Sequence, residues 1–141
     1  MKARQYLTGP IGSYPDREEF QVDRVIVWVK IPTANDYVDW LDRADDQFPT
    51  IWQARFKVML VAESALRSMF PKVWESHDTT KSTQDLVMLR GIWIDPRTGT
   101  ADYDVWCPDA LENWDEQGEE PSDFVIVTRD PKGALTVQTF S

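Results

Sequence analysis

The chain of 141 residues has few of the side chains on which disulfide frameworks and metal sites depend. It contains one cysteine, Cys107, and one histidine, His77. A single cysteine cannot form an internal disulfide, which fits a reducing compartment. A single histidine in a polar segment has no second histidine with which to share a metal ion. The sequence therefore predicts a fold that is stabilised by its core alone, with no cofactor and no bound metal.

Motifs of the common enzyme classes are also missing. There is no G-x-S-x-G, no P-loop and no G-x-G-x-x-G, so the sequence indicates neither a hydrolase nucleophile nor a phosphate-binding loop. No segment reaches the length of a transmembrane helix, and residues 1–15 lack the apolar run of a signal peptide. We therefore expect a cytoplasmic protein that is not an enzyme.

Lysine and arginine are absent from one stretch, residues 102–123, which reads DYDVWCPDALENWDEQGEEPSD. It carries nine of the 24 acidic residues, and the rest of the chain balances 15 acids against 15 bases. The formal net charge of −9 is thus confined to this acidic stretch. Tyr103, Trp106 and Trp114 lie among its carboxylates. Such a mixture suits docking against a basic, partly apolar surface.

The overall charge narrows the classes of partner. A pI near 4.5 opposes binding to nucleic acid or to an anionic membrane, because both need clustered lysine and arginine. Seven tryptophans are many for so short a chain, and those at the surface are candidates for contact hot spots. We predict a basic protein partner, and the sequence leaves monomer and dimer both open.

The N-terminal half predicts one strand and two helices. Residues 1–22 are rich in glycine, proline and charge and predict an irregular arm, with a short extended piece around Phe20 and Val22 left open. Residues 23–31, DRVIVWVKI, carry apolar side chains on both faces and predict a strand that is either central or covered on both sides. A first helix is expected over about residues 34–46. The second is expected from Pro49, in its first turn, to Phe70.

The C-terminal half predicts two β-hairpins. The first joins residues 85–95 to residues 100–107 across a turn. An exposed acidic loop, residues 108–121, follows, because its proline and clustered acids cannot continue a strand. The second hairpin joins residues 124–128 to residues 134–140.

The order β-α-α-β-β-β-β predicts a single α+β domain over residues 1–141. We expect a mainly antiparallel sheet of about five strands, with both helices packed on one face. Alternation along residues 100–107 places Asp102, Asp104 and Trp106 on one face of the sheet. It places Tyr103, Val105 and Cys107 on the other.

The acidic stretch is the candidate site. In this hypothesis its carboxylates raise the rate of association with a basic partner, while Trp114 and Trp106 bury against that partner and slow its release. The predicted partner-binding residues are Asp102, Asp104, Trp106, Asp109, Glu112, Trp114, Asp115, Glu116, Glu119 and Glu120.

Three other interpretations of the acidic stretch stay open. It could be a solvated loop that keeps the protein soluble. Asp102 and Asp104 could be a catalytic pair, since alternate residues of a strand lie roughly 7 Å apart. The acids could also hold a hard cation, although the D-x-[DN]-x-[DN]-G loop is absent.

In size, acidic pI and small α+β plan with an aromatic-rich acidic loop, residues 23–140 resemble the bacterial immunity proteins that neutralise polymorphic or contact-dependent toxins. The resemblance implies stoichiometric blocking of a toxin, commonly a basic nuclease, and carries over no family residues. Phage-encoded inhibitors of bacterial defence proteins are similar in the same general way. A further alternative is a non-catalytic structural subunit that associates with itself through its last strand.

Overall fold

The computed structural model describes residues 4–69, 86–106 and 124–138. These ranges form seven strands and two helices, so the chain is α+β as the sequence predicts. The elements are β1 (Gly12–Tyr14), β2 (Arg17–Val22), β3 (Val25–Lys30), α1 (Tyr37–Gln53), α2 (Arg55–Met69), β4 (Met88–Asp95), β5 (Thr100–Trp106), β6 (Phe124–Arg129) and β7 (Leu135–Gln138).

All seven strands belong to one sheet, in which the spatial order follows the chain order. Neighbouring strands are antiparallel except for β3 and β4, which run parallel. The chain joins this parallel pair through the two helices, the kind of long crossover that parallel strands require. A register shift between Leu89 and Gly91 leaves Arg90 as an extra residue against β5.

The expected count of about five strands is wrong, because the N-terminal arm contains a hairpin. β1 pairs with β2, and β2 pairs with β3 through the two-residue turn Asp23–Arg24. Both turn residues have positive φ, 46° and 69°, the pattern of a type I′ turn. That turn usually has Asn, Asp or Gly first and Gly second. Because Arg24 takes the place of the Gly, the turn signal in the sequence is weak, and the observed order becomes β-β-β-α-α-β-β-β-β.

The helix boundaries also differ from the prediction. The sequence places Pro49 at the start of the second helix, whereas α1 passes through Pro49 and the break lies at Ala54. The reason is burial, because the apolar stripe of α1 continues across the proline. Its buried apolar members are Leu41, Ala44, Phe48 and Ile51. Packing of this stripe outweighs the backbone hydrogen bond that the proline removes.

Both helices lie on the same face of the sheet. α1 packs against β3, and α2 packs against β4, β5, β6 and β7. Buried residues alternate along the strands, and the hydroxyl of fully buried Tyr103 donates to the carbonyl of Ile51 in α1 at 2.6 Å. The prediction that β3 is central is confirmed. Its second face, with Trp28, stays partly exposed rather than covered.

A buried carboxylate attaches the N-terminal segment to α1. Asp45 is only 3% exposed, and it accepts hydrogen bonds from the backbone N–H groups of Gln5, Tyr6 and Leu7 at 2.8–3.0 Å. Leu7 is thereby placed in the core, where it is fully buried. The segment before β1 is therefore part of the packed structure.

Candidate functional site

The sheet has a second face, called the open face below, whose side chains point away from α1 and α2. Along β3, β5 and β6 these side chains alternate with the buried ones. Neither of the helices in the described ranges lies on it, since both pack on the opposite side. Its half-exposed members in the central strands are Ile26, Trp28, Lys30, Trp93, Asp102, Asp104, Trp106, Phe124, Ile126 and Thr128.

Two tryptophans form the centre of the open face. Trp28 in β3 and Trp93 in β4 are register partners, with ring centroids 5.7 Å apart and ring planes tilted by 38°. The indole of Trp28 lies directly against Gly91, because a Cβ at that glycine would be 2.3 Å from the ring. Only glycine leaves this room. The backbone of β4 therefore helps to fix the orientation of Trp28.

A carboxylate stands at each end of this tryptophan pair. Glu19 in β2 is opposite Trp28, and its Oε1 accepts the indole Nε1–H at 3.0 Å. Asp102 in β5 is opposite Trp93, and its Oδ1 accepts the hydroxyl of Thr128 at 2.7 Å. Four adjacent strands thus present carboxylate, indole, indole and carboxylate in one line. We call this line the Glu19–Asp102 row.

Arg17 brings a cation to the same face. Its guanidinium lies 4.3 Å from the ring centroid of Tyr14 and 5.8 Å from that of Trp93. It also pairs with Asp16 at 3.2 Å. Distances below about 6 Å are those of cation–π contacts. The aromatic centre of the open face therefore accepts a guanidinium within the folded chain itself.

Three of the predicted partner-binding residues belong to the open face. Asp102, Asp104 and Trp106 alternate along β5 with fully buried Tyr103 and Val105, as the sequence predicts. Their settings differ, because Asp104 is paired with a cation whereas Asp102, among the described residues, accepts only a neutral hydroxyl. The other predicted residues lie outside the described ranges, and so does Cys107. They are Asp109, Glu112, Trp114, Asp115, Glu116, Glu119 and Glu120.

Asp104 and Trp106 share a neighbour in Arg90, the extra residue of the β4–β5 register shift. The guanidinium of Arg90 pairs with Asp104 at 3.0 Å and lies 5.9 Å from the Trp106 ring and 5.8 Å from that of Phe124. Trp106 and Phe124 are themselves register partners. β5 therefore ends, and β6 begins, at neighbouring positions of the sheet beside this cluster.

Trp28, Trp93 and Glu19 are not among the residues that the sequence predicts for the site. The sequence predicts Trp28 only as part of a strand that is central or covered on both sides, and it gives Trp93 no role. A usable signal was present: alternation separates Ile26, Trp28 and Lys30 from the three valines of β3. It also separates Trp93 from Ile92 and Ile94. What the sequence does not contain is the parallel pairing of β3 with β4, which brings the two indoles together.

A second polar cluster is built into the edge hairpin. Glu18 is only 2% exposed and accepts hydrogen bonds from the Ser13 hydroxyl at 2.7 Å and the Tyr37 hydroxyl at 2.5 Å. Burial raises the pKa of Tyr37 to about 12, and its hydrogen bond to Glu18 and the charge of that carboxylate act in the same direction. Both oxygens of Glu18 are thus occupied in linking β1 and β2 to α1. This cluster is a structural link.

A cleft of about 360 Å³ lies between α1 and the two turns at one end of the sheet, lined in part by Asp46, Thr50, Thr98 and Arg129. Neither histidine nor cysteine is among its lining residues in the described chain. The described ranges also contain no cluster of three or more metal-ligating side chains. None of the helices in those ranges is both long and apolar enough to cross a bilayer.

Comparison with known proteins identifies no relative of this chain. No family model, no curated protein and no solved structure matches the chain. The features of the chain that bear on its function are therefore the open face and the acidic stretch.

Proposed function

We propose that this protein is a non-catalytic binding protein that neutralises a basic protein partner. The observation that carries this proposal is the common location of two features on the open face. Asp102, Asp104 and Trp106, where the acidic stretch begins, share that face with Trp28 and Trp93. Aromatic side chains at the centre of a surface with charged side chains around them are the usual composition of a protein-binding site.

The charge of the chain supports a basic partner. All of the net charge of −9 is carried by residues 102–123, and this stretch begins within β5, on the open face, and ends directly before Phe124, the first residue of β6. A concentrated negative charge accelerates encounter with a positively charged surface, whereas aromatic contacts lengthen the life of the complex. The two roles are separable by experiment.

Among basic partners, we favour a toxin, so that the protein acts as a bacterial immunity protein in the cytoplasm. An inhibitor of a toxic enzyme must associate fast and dissociate slowly, and charge and aromatic area supply these two properties. The single cysteine fits a reducing compartment. A phage-type inhibitor of a defence protein would use the same surface, and the identity of the captured partner separates the two roles.

The test is capture of a partner from a lysate of the native host, followed by kinetics at about 0.05 M and 0.3 M salt. We expect the Glu119→Gln, Glu120→Gln variant to lower the association rate and its salt dependence, with the dissociation rate unchanged. Trp114→Ala is expected to raise the dissociation rate instead. The readout is surface plasmon resonance with the purified partner.

The matched control removes two charges from the helix layer. Asp36 and Asp39 are both exposed beside the start of α1, and the Asp36→Asn, Asp39→Asn variant changes the net charge by the same amount. It is expected to lower the association rate much less, because attraction between charges is screened over about 8 Å at physiological salt. Equal effects of the two variants would show that only the total charge matters. The acidic stretch would then not be the interface.

A further inference from the structure

We propose that the Glu19–Asp102 row binds an arginine side chain of the partner, with the guanidinium lying on Trp28 and Trp93 and one of the two carboxylates completing the contact. This proposal rests on the proposed function, since it assigns a chemical target to the same surface. Of the four residues of the row, only Asp102 belongs to the acidic stretch.

The spacing of the row suits this ligand. Its four residues occupy adjacent strands, so each Cα lies about 4.8 Å from the next and the Cα atoms of Glu19 and Asp102 lie roughly 14 Å apart. A guanidinium placed over either indole is then one strand spacing from a carboxylate. A planar cation that stacks on an aromatic ring and also donates hydrogen bonds can make both contacts at once.

The two carboxylates of the row differ from their neighbours in having no ion-pair partner among the described residues. Asp104 and Asp95 on the neighbouring positions are each paired with an arginine, at 3.0 Å and 3.3 Å. Within the described ranges Glu19 and Asp102 have no ion pair and accept hydrogen bonds only from an indole and a hydroxyl. No ion pair in the described part of the chain therefore neutralises their negative charge, and this charge complements a cation of the partner.

The aromatic part of the row is already arranged for binding. Trp28 is fixed by its hydrogen bond to Glu19 and by the absence of a side chain at Gly91. A ring that is ordered before binding loses little conformational entropy when the ligand arrives. Arg17 shows the mode of contact, because its guanidinium lies 5.8 Å from the Trp93 centroid while its own carboxylate partner is Asp16.

The experiment titrates the full chain with hexa-arginine and with hexa-lysine and follows the indole N–H signals by NMR. Trp28→Phe and Trp93→Phe variants assign the two signals. We expect hexa-arginine to shift both signals and to bind roughly two- to fivefold more tightly than hexa-lysine, the factor that an exposed cation–π contact gives. The Glu19→Gln, Asp102→Asn variant should lose that preference. It retains the oxygens that accept from Trp28 and Thr128, so the fold has no reason to change.

A control is needed because any acidic chain attracts polycations. The Asp109→Asn, Glu112→Gln variant removes two charges from the acidic stretch and leaves the row intact. It should weaken both peptides alike and keep the preference for arginine. Indole signals that stay in place at saturation, or equal affinity for the two peptides, would overturn the proposal. If the Glu119 and Glu120 kinetics nevertheless hold, only the arginine row fails. If those kinetics fail as well, the proposed function fails with it.

Discussion

At the scale of single residues, Tyr103 joins the two layers of the molecule. Its ring is fully buried in the central strand β5, and its hydroxyl donates to the carbonyl of Ile51 in the last turn of α1. Carbonyls in a last helical turn have no partner within the helix. One tyrosine therefore both fills the core and satisfies a helix end.

Tyr103→Phe is expected to lower the free energy of unfolding by about 1–3 kcal/mol at neutral pH, because the buried carbonyl of Ile51 loses its donor. Urea denaturation at constant temperature measures the loss. Tyr6→Phe, at a side chain that is 46% exposed, is the control and should change stability little. A neutral result for Tyr103→Phe would mean that water replaces the hydroxyl.

The pH dependence of the same group has a definite sign. Burial raises the pKa of Tyr103 to about 12, against an ordinary value of 10.0, while the charge of Arg129 opposes the shift. The folded state therefore holds this proton more tightly than the unfolded state. The contribution of Tyr103 to stability is complete below pH 10 and is lost as the pH rises from 10 to 12. Stability of Tyr103→Phe should accordingly fall less steeply over that interval.

At the scale of elements, α1 carries a proline where a helix is normally weakened. Pro49 has no N–H to donate to the carbonyl four residues earlier, and an interior proline costs about 3 kcal/mol relative to alanine. Pro49→Ala should raise the free energy of unfolding by about 1–3 kcal/mol, part of the gain being offset by lost packing of the half-buried ring. Thermal and urea denaturation both measure it.

Pro131→Ala is the control for Pro49→Ala, because its expected effect on stability has the opposite sign. It lies in the turn between β6 and β7, which is closed by a hydrogen bond from Gly133 N–H to the Asp130 carbonyl at 3.0 Å. A proline that fits its turn restricts the unfolded chain, so Pro131→Ala should lower stability by up to about 1 kcal/mol. A loss of stability in Pro49→Ala would instead mean that the proline positions Phe48 for the core.

The elements differ in how far the sequence predicts them. β3 to β7 and the helix pair follow from alternation, from helical spacing and from turns such as Pro96 to Gly99, which carry the usual proline and glycine. The β2–β3 hairpin does not, because its turn is made by Asp23 and Arg24, without the glycine that usually follows Asp in a type I′ turn. Long-range pairing such as that of Trp28 with Trp93 has no local signal at all.

The candidate site, too, can be predicted from the sequence only in part. Period-two alternation is enough to place Asp102, Asp104 and Trp106 on one face, because it is a property of a single strand. The ion pair of Asp104 with Arg90 depends on a register shift between two strands. The Glu19–Asp102 row depends on three successive pairings, of which one is parallel. Contacts of this kind cannot be predicted from single strands, because they exist only in the assembled sheet.

At the scale of the whole molecule, a net charge of −9 opposes compaction through repulsion among the acids. Salt should therefore raise the urea midpoint between about 0.02 M and 0.3 M, while the same salt should slow association with the proposed basic partner. The Glu119→Gln, Glu120→Gln variant carries less charge, and its midpoint should rise less. A midpoint that falls with salt would show that ion pairs such as Arg90 with Asp104 outweigh the repulsion.

The pairing of Trp106 with Phe124 determines how short the connection between β5 and β6 can be. Register partners in antiparallel strands have Cα atoms about 5 Å apart, a gap that a two-residue turn can bridge. The sheet can thus close at this point without residues 107–123, and longer connections add little entropic penalty. The strand pairing that builds the sheet therefore does not depend on the length or composition of this connection, and a chain with residues 107–123 replaced by a two-residue turn should keep the same fold.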